Sequence, residues 1–409
     1  MNLKQLPVIL TQLILVFILT SVNLDTLAQS KRPAVPLRID FEAIVKQDIS
    51  LNLSEIVDDI EYIALETKKE CLIGEVDAIR IFKDQVFLLA QNQVFKFNKK
   101  GKFISTIGSG GKGPGEFVKP IDIQIDEGTN SIFVLDQTLK KIHEYSTDGE
   151  YRKSITLAIP GFPWQILCFE NSLLIFNQIL PPMQIQLYRI DHFGRMIFKF
   201  PMRCELKSSR EGLDYASFNK NARFFDYTSA WNDTIFRIYE NNQLELLYII
   251  DYGKYKYPLK GKNAALNQSM IKEYVYQLWR SITTRYLFFY YSYMWDDRLA
   301  VFDTKIPGFI FNGSLVDKNA DHRGLDDLNA GIRNDIDGGR NLSRILPFMF
   351  TNGNELVKAI DAMDMIESMN TKKAGELNPK YAHKRKAFME LAKKLKEDDN
   401  PVIQVLHLK

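Results

Sequence analysis

Gly108, Gly110 and Gly113 satisfy G-x-G-x-x-G within GSGGKGPGEF (108–117), and Lys112 stands among them. Glycines at that spacing let a backbone approach a pyrophosphate, and a lysine beside them can reach phosphate oxygens. That chemistry needs a helix immediately afterwards, so that its N-terminal amides meet the anion. Pro114, Gly115 and Pro120 follow instead, and IDIQID (121–126) alternates like a strand. No Ser or Thr follows Lys112, so a Walker A loop fails too. The stretch reads as a strand–loop–strand passage, with Lys112 and Glu116 kept as candidate ligand contacts.

A second candidate is DDLNAGIRNDIDGGR (326–340), which gathers Asp326, Asp327, Asn329, Asp335 and Asp337 and ends on Arg340. Oxygen ligands this dense suit Ca²⁺. The EF-hand spacing fails, since Gly331 is one position early and Gly338 stands where the bidentate Glu belongs. The competing reading is a polar loop of Asx turns and glycine bends. Asp335 and Asp337 are retained as candidate calcium ligands and Arg340 as a candidate ligand contact. Trp231 in SAWNDTIFR (229–237) and Trp295 in YYSYMWDDR (290–298) complete the set. Such aromatics either stack on sugars and partner proteins or pack between sheets.

Catalytic arrangements are thin. G-x-S-x-G, H-E-x-x-H and C-x-x-C are all absent. Asp58–Asp59 and Asp296–Asp297 are sequence neighbours, and neighbouring strand residues face opposite ways. His143 and His192 occupy similar places in successive repeats, and solvent-facing strand or turn positions are expected for both. No catalytic residue is assigned.

The elements that would position these residues repeat. QVFLLAQNQVFKFNKKGKFISTIG (85–108), SIFVLDQTLKKIHEYSTDGEYRKSITL (131–157), SLLIFNQILPPMQIQLYRIDHFGRMIFKFP (172–201) and TIFRIYENNQLELLYIID (234–251) each run strand, turn, strand. Gly101, Gly149 and Gly194 fall 48 and 45 residues apart, and Asn242 comes 48 further on. A period of 40–50 residues with several strands per unit indicates propeller blades. A helix is expected over 263–283, from Met270, Ile271, Tyr274, Val275 and Leu278, with strands resuming over 286–311. A second helix is expected over about 357–369, and a charged one over 381–399 with Phe388, Met389, Leu391 and Leu395 inward. A last strand, PVIQVLHLK (401–409), is placed to complete a blade begun by IEYIALET (60–67), leaving no open sheet edge. The fold predicted is all-β: a six-bladed β-propeller over 54–409, with a few inserted helices and a C-terminal helix plus closing strand.

Composition bounds the rest. Fifty-three basic and 50 acidic residues leave +3, which does not imply nucleic acid, and 12% aromatic residues favour β structure. Lys4, the apolar run 8–24, and Thr26 and Ala28 as small residues read as a signal peptide over 1–28, followed by a lead-in over 29–53. Cleavage there would leave no transmembrane span. Three cysteines permit at most one disulfide, for which Cys168 and Cys204 are the pair, although buried apolar roles suit all three.

IEYIALETKKECLIGEVDAI (60–79), GKFISTIGSGGKGPGEFVKPIDIQID (101–126), WNDTIFRI (231–238) and NPVIQVLHLK (400–409) resemble an uncharacterised family of six-bladed β-propellers. These are exported proteins of Bacteroidetes-type bacteria, similar in style to NHL-repeat propellers. The resemblance covers nearly all of the mature chain and implies an exported location, periplasmic or secreted, but no agreed activity. Many relatives are lipoproteins. This chain has no cysteine at the signal boundary, so lipid anchoring is not expected. The function expected is binding or scaffolding in the cell envelope, with a peptide, glycan or protein ligand. The alternative is a metal-dependent, lactonase-like propeller hydrolase, which would need acidic, amide or imidazole ligands converging on the axis.

Overall fold

The computed structural model describes residues 36–178, 185–201, 216–220, 224–229, 233–257, 272–315, 330–343, 350–369 and 377–409. The proposed signal peptide, Trp231, Cys204, Asp326, Asp327 and Asn329 lie outside them. Arg38–Lys409 form one compact unit.

The unit is a six-bladed β-propeller. Five blades are built from consecutive antiparallel strands, spanning 76–107, 120–156, 162–201, 216–251 and 276–314. We number them blades 1 to 5. Blade 6 orders its strands, from the axis outward, Phe350–Asn352, Glu355–Ile360, Val402–Leu408 and Val57–Ala64. Its outer strand therefore comes from the N-terminal side of the chain and its other three from the C-terminal side. The expected closure is observed, with Ile60 opposite Leu406, Tyr62 opposite Gln404 and Ala64 opposite Val402, but the expected absence of an open sheet edge is not, since Val57–Ala64 is the last strand of its sheet. A short strand, Leu37–Asp40, adds a fifth strand outside blade 4.

Strand alternation explains why the ring is needed. Each blade is apolar on both faces, so it must be covered on both sides. Six clusters of buried side chains result, one between each pair of neighbouring blades. Phe133, Leu135 and Ile142 of blade 2, for instance, meet Ile166, Cys168 and Ile175 of blade 3. Burying one such side chain is worth about 1.5–3 kcal/mol. Residues 38–53, the later part of the expected lead-in, contribute too: Ile39, Phe41, Ile44 and Val45 fill the cluster between blades 4 and 5.

Antiparallel order sorts the connections onto two faces. Turns joining first to second and third to fourth strands lie on one face, here called the turn face. Links joining second to third strands, and one blade to the next, lie on the other, the loop face. On the turn face, basic side chains latch neighbouring blades. Lys83 Nζ donates to Asn130 Oδ1 (2.8 Å), Lys153 Nζ to the His192 carbonyl (2.8 Å), and Arg189 Nη1 to Asn242 Oδ1 (2.9 Å). The repeat glycines sit in these turns with positive φ, at +77° for Gly101, +99° for Gly149 and +85° for Gly194, and Asn242 matches them at +64°.

Two helix expectations need correction. Residues 276–282 form the inner strand of blade 5, not the end of a helix. Apolar residues three and four apart fit helix and doubly buried strand alike, and the ring imposes the strand. The remainder of that expected helix, up to residue 271, lies outside the described residues. The helix placed over about 357–369 begins later: Glu355–Ile360 is a strand and the helix is Ala362–Met369, here α2 after the short α1 (Leu53–Ile56). The charged helix is Ala382–Ala392, α3, with Phe388 buried and Met389, Leu391 and Leu395 packed against the same cluster.

Gly101 shows how close the blades approach. A Cβ there would lie 1.8 Å from the Ala64 carbonyl oxygen of the outer strand of blade 6, whereas one at Gly149 would meet nothing nearer than 3.7 Å. Gly149→Ala should therefore cost only the left-handed backbone penalty of roughly 1–2 kcal/mol. Gly101→Ala should cost clearly more, because blade 1 must move away from the seam. Chemical denaturation of both variants checks this; equal losses would show that the seam contact carries no weight.

Candidate functional site

The sequence candidates separate once placed on the ring. The glycine stretch links blade 1 to blade 2 on the loop face, and no helix opens after it. Ser109–Gly110 and Glu116–Phe117 pair as short parallel strands. The Glu116 carboxylate accepts the Gly113 amide at 2.8 Å, and the Tyr145 hydroxyl donates to the Gly115 carbonyl at 2.9 Å. Gly108 has φ +65°, and a Cβ there would lie 2.5 Å from the Phe117 ring. These glycines serve a tight bend over an aromatic floor. Glu116 is occupied by the loop itself, and Lys112 is exposed. Asp136, unremarked in the sequence, is fully buried and pins the loop's far end by accepting the Val118 amide (2.5 Å), while its other oxygen accepts the Leu139 amide of the turn that follows its own strand (2.8 Å).

His143 lies beneath the same loop, its ring centroid 6.3 Å from that of Phe117. The expected solvent-facing position is not found: the residue is 1% exposed. Its alternation matches an outward position, but every blade face is covered by the next blade. Nδ1 meets Ser154 Oγ at 2.9 Å, and Nε2 is buried with no partner among the described residues. Burial holds the imidazole below its ordinary value, against an opposing pull from Asp136.

Asp335 and Asp337 lie in the link from blade 5 to blade 6, and both are buried. Asp335 accepts the Ser54 amide (2.9 Å) and hydroxyl (2.7 Å), one on each oxygen, and so holds the first turn of α1. Asp337 accepts the Tyr62 hydroxyl (2.8 Å), the Asn334 amide group (2.7 Å) and the Gly339 amide (2.8 Å). Burial raises its carboxyl above the ordinary range, opposed by these hydrogen bonds and by Arg385. All four carboxylate oxygens thus already have protein donors. Arg340 donates to Asp364 of α2 at 2.6 Å, while its carbonyl accepts from the Asn334 amide group that also donates to Asp337.

Among the described residues, the axis carries an ion pair. Arg80 on the inner strand of blade 1 meets Asp122 of blade 2 at 2.9 Å and Gln124 at 3.2 Å. Asp122 also accepts the Ile166 amide of blade 3 at 2.9 Å. Burial pushes the Asp122 carboxyl up, while Arg80 and the amides pull it back. Among the described residues no three His, Cys, Asp or Glu side chains are grouped as a metal ion would require.

Aromatic residues form the remaining candidate. Of the run YYSYMW, Tyr290 and Tyr291 are packed inside, whereas Met294 and Trp295 are 52% and 62% exposed. Met294 and Trp295 are the two central residues of the turn between the second and third strands of blade 5, at φ +56° and +65°. That geometry is a type I′ hairpin turn, which favours Asn and Gly. The equivalent turn of blade 1 is Gln91–Asn92, at +51° and +59°. Beside Trp295, Tyr293 packs edge-on to Tyr255 (5.4 Å), and Tyr257 meets Tyr274 (6.3 Å) and Tyr276 (5.9 Å). Tyr257, Tyr274, Tyr276 and Tyr293 are half-buried. Tyr293 belongs to the aromatic run noted in the sequence, whereas Tyr257, Tyr274 and Tyr276 are not singled out there, the last two falling within the expected helix. A Met-Trp pair at the centre of a two-residue turn was the signal available.

The family described as "Domain of unknown function (DUF4934)" matches residues 36–407. The chain belongs to this family. No curated protein matches the sequence. Among solved structures, a protein of Bacteroides fragilis described as a candidate exported protein is similar at 16% identity over 92% of this chain and 99% of that one, with a TM-score of 0.62. A DUF4221 family member from Bacteroides vulgatus is 10% identical over 88% and 98%, with a TM-score of 0.49. Virginiamycin B lyase of Staphylococcus aureus is 14% identical over 64% and 76%, with a TM-score of 0.39. Likeness at these identities speaks for the fold. It brings no activity to this DUF4934 protein.

The buried imidazole has a measurable consequence. A folded value depressed below the unfolded one means that the stability His143 contributes is complete above about pH 6.5. It is lost as pH falls from there through the folded value. Wild-type melting temperature should decline over that window, and His143→Leu should flatten the decline. Parallel slopes for both proteins would exclude this group as the cause.

Proposed function

We propose that this protein is an exported recognition or scaffold protein of the cell envelope, periplasmic or secreted. It engages a peptide, glycan or protein partner through the aromatic patch of blades 4 and 5 on the loop face. The observation that carries the reading is the Met294–Trp295 turn. A left-handed backbone costs these side chains roughly 1–2 kcal/mol per residue relative to glycine. Burial cannot repay that, since both side chains are exposed. Backbone strain kept at an exposed aromatic is what a recognition residue would show. Trp, Tyr and Met are also the residues enriched where partners dock.

The exported reading is supported by the signal-like N-terminus and by the description given to the Bacteroides fragilis structure. No helix among the described residues is long and apolar enough to cross a membrane.

The turn supplies the test. Replacing Met294 by Asn and Trp295 by Gly installs the preferred I′ pair. It should raise stability by about 1 kcal/mol while lowering binding in glycan-array and peptide-display screens run against wild type. A variant that binds as wild type does would remove the aromatic patch from the recognition surface.

Calcium separates this reading from a metal-dependent hydrolase. Metal-stripped protein should melt at the same temperature with and without added Ca²⁺. A rise lost on Asp335→Asn and Asp337→Asn would instead favour the metal centre.

A further inference from the structure

Blade 6 carries a cleft of about 410 Å³ on its outer rim, formed by residues other than those of the aromatic patch. Its lining includes Asp59, Ile60, Glu61 and Tyr62 of the outer strand and Ala387, Phe388 and Leu391 of α3. Strand residues alternate between faces, so a cavity touching four in succession must run along the strand's edge, against its backbone. Among the described residues that edge borders no other strand: Val57–Ala64 is last in its sheet and pairs there with Val402–Leu408 alone. The Ile60 amide shows the edge directly, because it donates to its neighbour Asp59 Oδ1 at 2.7 Å rather than across the sheet. A sheet edge of this kind is a template for another extended chain. The ring already uses one this way, since Leu37–Asp40 lies as an added strand outside blade 4.

The walls specify what would fit. Asp59 and Glu61 project on one face of the sheet, and Glu355 stands beside them, with His407 between Glu61 (3.8 Å) and Glu355 (3.2 Å). Lys384 pairs with Asp59, and Arg385 lies behind, donating to the carbonyls of Asp337 and Gly338 at 3.1 Å. Of the exposed and half-buried groups that line the cleft, Asp59 and Glu61 face one permanent cation, Lys384, so the cleft favours positive charge. On the other face of the strand, Ile60 and Tyr62 join Phe388, whose ring centroid is 5.6 Å from that of Tyr62, in an apolar wall.

We propose that this cleft binds an extended peptide in which basic and apolar residues alternate, added as a fifth strand to blade 6. An added strand shares the two faces of its neighbour. Its basic side chains therefore lie beside Asp59 and Glu61, displacing Lys384 from Asp59. Its apolar side chains lie beside Ala387, Phe388 and Leu391. The backbone pairing sets affinity and the alternation sets specificity.

The test uses the full chain and a fluorescent Lys-Val-Lys-Val-Lys-Val peptide, read by anisotropy at low salt. Binding should weaken by about tenfold with Asp59→Asn/Glu61→Gln, which keep the size of both side chains and whose fold is checked by melting. It should weaken similarly when alternate peptide amides are N-methylated, a change made only in the ligand. The Met294→Asn/Trp295→Gly protein should bind the peptide as wild type does, so failure here and failure at the aromatic patch are distinguishable. Absence of peptide binding, or an N-methylated peptide that binds equally well, overturns the proposal. So does equal binding by a Glu-Val repeat. Displacement of the peptide by lysine methyl ester at matched concentration would make the cleft a small-amine site, which also overturns strand addition.

Discussion

The seam between Val57–Ala64 and Val402–Leu408 is the contact on which the rest of the ring depends. The two apolar clusters that flank blade 6 contain residues of both seam strands, so neither is complete unless the ring is closed. Blade 6 covers blade 5 on one side and blade 1 on the other, and it exists as a four-stranded sheet only when strands from both ends of the chain pair. The seam is reinforced locally. Asn400 is buried and holds the link from blade 6 to blade 1, accepting the Ile73 amide (2.8 Å) and donating to the carbonyls of Glu66 (2.8 Å) and Cys71 (2.7 Å). The Lys409 amide donates to the Ile56 carbonyl at 3.0 Å, just before Val57–Ala64 begins. Contacts so distant in sequence form late in the chain's search and make closure the cooperative step.

Closure divides labour between the two faces. On the turn face, short glycine turns and basic arms reach from blade to blade and repeat with the blades themselves. Departures from the repeat gather elsewhere. The link from blade 5 to blade 6 brings Asp335, Asp337 and Arg340, and the connection carrying α2 and α3 replaces a turn that is two residues long in blades 1 and 5. Insertions on one side of a repeat ring are where new surface can be added without disturbing the packing between units.

The conspicuous sequence motifs serve this architecture. The glycine stretch has dinucleotide spacing but bends over Phe117 and Tyr145. Asp335 and Asp337 have the look of calcium ligands but spend their oxygens on Ser54, Tyr62, Asn334 and Gly339. In each case the residue types are right and the surroundings differ. A carboxylate in a crowded link finds nearby amides and hydroxyls, because leaving it unsatisfied when buried costs several kcal/mol.

Repetition made the ring legible in the sequence. Turn residues 45 to 48 apart, alternating strands and a terminal strand without a local partner together require a closed array of sheets, since sheets apolar on both faces have no other way to be covered. The same local signals misplaced two helix boundaries, because apolar spacing in a doubly buried strand can mimic a helix, as at Tyr276–Ile282. They also misjudged His143, whose burial depends on a neighbouring blade. Which candidates stand together was beyond the sequence for the same reason. Trp295 is exposed while Tyr291, four residues earlier, is wholly buried, and Asp59 meets Lys384 across 325 residues of chain. Periodicity is a property of the chain and survives in the sequence. Neighbourhood arises from ring closure, which brings together residues that no local pattern connects.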